Sequence, residues 1–148
     1  MIAALLSNEV LIAALLAWFL AQVLKVPIYM FREKRVDFRW LVSTGGMPSS
    51  HTSFVTALSA AVGMAEGLNS PLFAVATVFA LIVMYDAAGV RQAAGKQAQV
   101  LNKIVDELAT RHVLQERRLK ELLGHTPVEV LAGALLGITV AVLVLGRK

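Results

Sequence analysis

The sequence predicts an all-α integral membrane protein: a bundle of about four transmembrane helices with amphipathic helices on the cytoplasmic side, one domain over residues 1–148. Three observations carry that prediction. The chain is 57% hydrophobic, with mean hydropathy +0.69, too apolar for an ordinary soluble domain of this size. Apolar runs long enough to cross a hydrocarbon core of about 30 Å at 1.5 Å per residue lie near both ends. The cations, finally, are distributed unevenly along the chain.

The first helix is expected over Glu9 to Val26 and the last over Pro127 to Gly146. Between them, Ser49 to Glu66 and Pro71 to Tyr85 form a helical hairpin around the turn-like Gly67-Leu68-Asn69-Ser70. The hairpin segments have shorter strictly apolar parts, so burial in a bundle, tilt or membrane thinning has to complete their span. Glu9 ahead of the first run, without a basic leader, argues against a cleaved signal peptide. Arg32 to Trp40 is a mixed-charge connector whose aromatics suit the headgroup layer. In Lys96 to Leu123, Val100, Leu101, Ile104, Val105 and Leu108 fall at helical spacing, and the phase breaks near Thr110-Arg111-His112. Two amphipathic helical pieces on the membrane surface, or over the site, are expected there.

Of the 14 Lys and Arg residues, 12 fall between Lys25 and Lys120, in the segments after the first helix and between the third and fourth. The positive-inside bias places those segments in the cytoplasm and both termini outside. The same topology, with anionic lipid, explains the pI near 9.8, so nucleic acid is not an expected partner. The chain contains no cysteine, which removes disulfide frameworks and thiolate metal sites.

Two stretches concentrate the chemistry. Gly45-Gly46-Met47-Pro48-Ser49-Ser50-His51 and Gly124-His125-Thr126-Pro127-Val128-Glu129 each set a histidine at the start of an apolar segment. Ionisable groups are costly near lipid, so several together require a reason. In the first stretch the glycines permit close backbone approach. Pro48 suits a first helical turn. The N–H groups of Ser49, Ser50 and His51 then face an anion at the helix start, with the two hydroxyls as further donors or as a simple cap. In the second, Thr126 through Glu129 reads as a capping box with Pro127 at the first helical position. Glu129 also lies one helical turn from His125, where its carboxylate fixes the imidazole tautomer needed for attack. Cap and orienter compete for one carboxylate.

Lys25 and Arg32 precede these stretches and Arg91 separates them; an arginine supplies a planar fork for phosphoryl oxygens and a lysine a point charge. Asp86 is placed to orient Arg91 or Lys25, or is an interfacial acid. Asp86, His51, His125 and Glu129 have no recognisable metal-ligand spacing, so no metal is assigned. Two histidines, three cations and two helix starts are the components of a site that holds a phosphate and breaks its ester.

Through GGMPSSH, DAAGVR with the following QAQVLN, and GHTPVEV, the chain resembles the divergent branch of the type 2 phosphatidic acid phosphatases, relatives of the vanadium-dependent haloperoxidases. The wider superfamily carries Lys-x6-Arg-Pro, Pro-Ser-Gly-His and Ser-Arg-x5-His-x3-Asp. Here Lys25 and Arg32 keep the first spacing, with Glu33 replacing the proline, and Ser50 replaces the glycine of the second motif. His125 and Glu129 keep the third spacing with Glu for Asp, while Leu119 stands where the third arginine falls. Arg91 is the substitute in chain order, with Arg118 second.

The resemblance implies that His125 is the nucleophile, oriented by Glu129, and that His51 is the acid that protonates the leaving oxygen. It implies that Lys25, Arg32, Arg91 and the Ser49/Ser50 backbone hold the phosphoryl oxygens, with no cofactor and with vanadate as a phosphate mimic. A headgroup-level site fits a lipid phosphomonoester of the phosphatidate, phosphatidylglycerophosphate or polyprenyl phosphate type. A non-catalytic lipid-phosphate binder and a vanadate-dependent peroxidase are the alternatives. Gly133 and Gly137 form a small-xxx-small pattern that serves either a homodimer or the bundle interior.

Overall fold

The computed structural model describes residues 5, 7–34, 40, 41, 43, 45–109 and 125–146, without the side chains of 32, 33, 90–92 and 107–109. Five helices occur among the described residues: α1 (Glu9–Glu33), α2 (Ser50–Glu66), α3 (Pro71–Ala88), α4 (Val90–Ala109) and α5 (Pro127–Leu145).

Each helix boundary has a local cause. Asn8 caps α1 by accepting from Leu11 N at 3.0 Å, and Glu9 in the first turn complements the dipole. The helix ends where Lys34 turns left-handed at φ 53°. Ser49 caps α2. Gly67, at φ 87°, closes it, with its N–H donating to the Gly63 carbonyl. Ser70 and Pro71 then start α3 as cap and first residue. Thr126 and Pro127 do the same for α5.

The expected positions of the helices hold, but their division of labour differs. Among the described residues, three helical stretches are long and apolar enough to cross a membrane: Glu9–Phe31, Pro71–Asp106 (α3 running into α4) and Pro127–Leu145. Helix α2 is absent from that set and is instead the central helix, packed against α1, α3 and α5. Its interior positions include Ser50, Thr52, Ser53, Thr56, Ala57, Ser59 and Gly63. Small and hydroxyl residues suit a helix surrounded by other helices, because association in lipid runs on close packing and hydrogen bonds rather than apolar burial. Ser53 Oγ donates to the Gly133 carbonyl at 2.9 Å. The Ser59 and Thr77 hydroxyls meet at 2.9 Å. Helix α3 shows the converse pattern: Leu72, Val75, Phe79, Ile82 and Tyr85 face outward while Ala76, Ala80 and Ala87 are buried.

The core is a stack of layers to which α1, α2 and α5 each contribute one small residue. Ala13, Ala61 and Ala141 form one layer; Ala17, Ala57 and Val140 form the next. Toward the same end lie the buried residues Ala21, Ser53 and Gly137, and then Lys25, the α2 cap Ser49 and Gly133. The stack therefore turns polar at one end, and Lys25 continues the buried row of Ala13, Ala17 and Ala21.

Gly133 and Gly137 make the α2–α5 contact possible. A methyl group on Gly133 would overlap the Ser49 carbonyl and Thr52, and one on Gly137 would overlap Thr56, the Ser53 carbonyl and the Ala57 amide. The small-xxx-small pattern is used inside this chain, so it gives a homodimer no separate support.

Helix α4 follows α3 at Gly89 as one continuous amphipathic helix, with Val100, Leu101 and Ile104 exposed and Ala98 and Asn102 buried. The second expected amphipathic piece falls on residues 110–124, outside the described residues.

Candidate active site

The polar end of the stack collects the C-terminal part of α1, the start of α2, the end of α3 and the start of α5. Two backbone hydrogen bonds lock the motifs together. Ser49 N donates to the Glu129 carbonyl at 3.0 Å, and His125 N donates to the Ala87 carbonyl at 3.0 Å. The first ties the two histidine stretches to each other. The second fixes His125 on the end of α3, one residue beyond Asp86.

The imidazoles of His51 and His125 face one another with ring centroids 6.2 Å apart and planes inclined at 60°. His125 is 1% exposed. Its Nδ1 lies 3.1 Å from Glu129 Oε2. The same carboxylate oxygen accepts from Thr126 N at 3.1 Å, while Glu129 N donates to Thr126 Oγ1 at 3.3 Å. The capping box and the histidine contact thus coexist on one oxygen. With Nδ1–H donating to the carboxylate, Nε2 carries the lone pair. That Nε2 atom is buried.

Lys25 is fully buried. Its Nζ donates to Gln22 Oε1 at 2.5 Å and to the Ser43 carbonyl at 2.9 Å, and Glu129 is the carboxylate within its electrostatic reach. Gln22 Nε2 in turn donates to the Leu41 carbonyl at 3.0 Å. Gln22 therefore ties Lys25 to Leu41. It was absent from the expected site, although it is the one amide in the apolar run of α1 and sits three residues before Lys25.

The first motif differs from expectation in two respects. Helix α2 begins at Ser50, so Pro48, which follows a cis Met47–Pro48 bond, precedes the cap instead of occupying the first turn. Ser49 is a structural cap: its hydroxyl oxygen accepts from Thr52 N at 3.3 Å and from Thr52 Oγ1 at 3.1 Å, and its own N–H is engaged with Glu129. The N–H groups of Ser50 and His51 belong to the first turn of α2. Gly46 adopts φ 93°, and a methyl there would press on Tyr29 and Trp40. Those two rings stack with centroids 3.6 Å apart, so the glycine lets the loop fold beneath an aromatic pair at the end of α1.

The structure brings together His51, His125, Glu129, Lys25, Ser49 and Ser50, with Asp86 in the last turn of α3. The side chains of Arg32 and Arg91, and all of Arg118, lie outside the described residues. Among the described residues no group of three or more His, Asp or Glu side chains converges as a metal ion requires.

An α-helical membrane bundle with paired histidines, a carboxylate-held imidazole and a buried lysine at one end is the class of protein that fold and site define. The description "Divergent PAP2 family" matches residues 6–140, and the chain belongs to that family. It is 47% identical over 145 residues to the uncharacterized membrane protein YuiD of Bacillus subtilis (strain 168), covering 90% of this chain and 92% of that one. No solved structure matches it. The family, the membrane-protein relative and the three apolar stretches among the described residues together make this an integral membrane protein.

Proposed function

We propose that the protein is a lipid-phosphate phosphatase that works through a phosphohistidine on His125. The observation that carries this reading is the Glu129–His125 contact directed across the site at His51. A phosphomonoester seated between the imidazoles meets the first-turn N–H groups of Ser50 and His51 and the Lys25 ammonium. Arg32 and Arg91 are assigned to the remaining phosphoryl oxygens. Fixed donors of this kind stabilise the charge that spreads over those oxygens in the transition state.

The Nε2 lone pair of His125 attacks phosphorus as the ester P–O bond breaks. His51, protonated, gives its proton to the departing alkoxide, and the alcohol leaves. Glu129 stabilises the cationic imidazole that forms on His125. His51, now neutral, takes a proton from water as that water attacks the phosphohistidine, which releases inorganic phosphate and restores both histidines.

The positive-inside bias supports a site open to the cytoplasmic leaflet. At the end of a membrane bundle the phosphate of a bilayer lipid is within reach without extraction of its chains. The test is phosphate release by the purified protein from phosphatidate, phosphatidylglycerophosphate and polyprenyl phosphate. Activity with at least one of them that vanishes in His125→Ala supports the reading, and release unaffected by that change removes it.

A further inference from the structure

Helices α3 and α5 both flank α2 but touch each other little. The space between them is an apolar groove of about 530 Å³, lined along α2 from Thr56 to Met64, along α3 from Phe73 to Met84, and by Ile138 and Val142 of α5. Its lining contains hydroxyls, yet they are satisfied within the protein: Thr56 Oγ1 donates to the Thr52 carbonyl at 2.8 Å, and Ser59 pairs with Thr77. An occupant is therefore offered apolar contact and no hydrogen bond. The size is that of a ligand site.

The groove begins close to the histidine site along the helix axes. Thr56 lies five residues beyond His51 on α2, about 7.5 Å along the axis. Met84 lies one turn before Ala87, the residue that holds His125. The far end is closed where the Phe73 ring and Leu68 press on Gly63 so tightly that a methyl there would clash. From His51 to Gly63 the axial distance is roughly 18 Å.

We infer that this groove holds a hydrocarbon chain of the lipid whose phosphate lies between His51 and His125, and that the Gly63–Phe73 contact limits the chain length it accepts. The inference rests on the phosphate-site reading above and adds what selects the lipid. Bilayer lipid reaches the groove sideways between α3 and α5, so the chain slides in while the headgroup stays at the surface.

A phosphatidate analogue with a diazirine midway along one acyl chain tests this in nanodiscs, with crosslinked residues mapped by mass spectrometry. Crosslinks are expected on Ala60, Ala80 and Met84. Excess vanadate should suppress them at least fivefold, because it takes the headgroup's place. Ala80→Phe should lower the yield by a similar factor, with Ala60→Leu as the second filling variant if the first fails to fold. Phe73→Ala should extend crosslinking to a longer-chain analogue that labels wild type poorly. Labelling of Leu15 and Phe19 on the outer face of α1 as strongly as the groove, or groove labelling indifferent to vanadate and to both filling variants, would overturn the inference. So would efficient disulfide dimers through Leu81→Cys, which would give the groove to a second copy. Labelling requires no turnover. Vanadate-sensitive crosslinks without phosphate release refute catalysis alone, and release with uniform labelling refutes the groove alone.

Discussion

Glu129 Oε2 stands 3.1 Å from His125 Nδ1 and 3.1 Å from the amide of Thr126, so one oxygen both caps α5 and orients the imidazole. The dual use follows from spacing. A histidine immediately before a Thr-Pro cap is four residues from the capping-box glutamate, and four residues is one helical turn. Any thermal motion that frays the first turn of α5 also releases the histidine, which couples the rigidity of the helix start to the chemistry at Nε2.

Glu129→Gln separates the two duties. A glutamine still caps the helix, so the folded state should survive with at most about 1 kcal/mol lost. The amide cannot stabilise a cationic imidazole, and turnover should fall by about 10²–10⁴-fold. Thermal unfolding in detergent and single-substrate kinetics measure the two effects. Parallel losses of stability and rate would mean that the carboxylate is only a cap.

Lys25→Met keeps the length of the side chain and removes its charge. Vanadate protection against thermal unfolding should disappear, while unliganded protein remains folded because burial of an ammonium is itself costly. Lys25→Arg should not restore binding, since Nζ is held as a point charge by two acceptors that a planar guanidinium does not reproduce. Full vanadate protection in Lys25→Met would take the lysine out of the anion site.

The paired serines should behave differently. Ser49→Ala removes the cap of α2 and should cost about 1 kcal/mol of stability. Ser50→Ala leaves both the cap and the Ser50 N–H in place and should change stability and anion affinity little. Denaturation and vanadate titration of the two variants decide it, and the reverse pattern would contradict the cap assignment.

Gly137→Leu should prevent folding of the bundle, because overpacking a filled contact costs about 1–3 kcal/mol even where a side chain can shift, and here the overlaps include α2 backbone. Expression and detergent size-exclusion profiles report the result. A well-folded Gly137→Leu monomer derived from a wild-type dimer would return the glycines to a dimer interface.

Topology is checked by cysteine labelling. Lys34→Cys, beside the site, should react only from the cytoplasmic side. Leu68→Cys, at the α2–α3 turn, should react only from outside. Labelling of both from the same side would break the up-and-down arrangement.

Much of this was legible in the residues. Pro71 and Thr126-Pro127 mark helix starts, and Gly67 marks a turn, because capping chemistry is local; the Asn8 and Ser70 caps were not anticipated. The burial of Lys25 was not anticipated, although it shares a four-residue row with Ala13, Ala17 and Ala21. Helix α2 was harder to place. Hydropathy measures affinity for lipid, and a helix enclosed by other helices is selected for small size and hydroxyls, so the central element reads as the weakest span. Ser49 was ambiguous for a different reason: a cap and an anion donor use the same residue types at the same helix position. Gln22 and the Ser43 carbonyl escaped notice because Leu41 and Ser43 meet Gln22 and Lys25 only in the folded chain.

The most direct test of the central claim is to trap the covalent intermediate. The protein is mixed with a lipid phosphomonoester labelled at phosphorus, quenched in alkali within a turnover, and digested for mass spectrometry. An acid-labile, base-stable phosphoryl group on His125, absent in His125→Ala and reduced in His51→Ala, is the predicted result. Phosphate release at full rate with no phosphoryl group on His125 would contradict it.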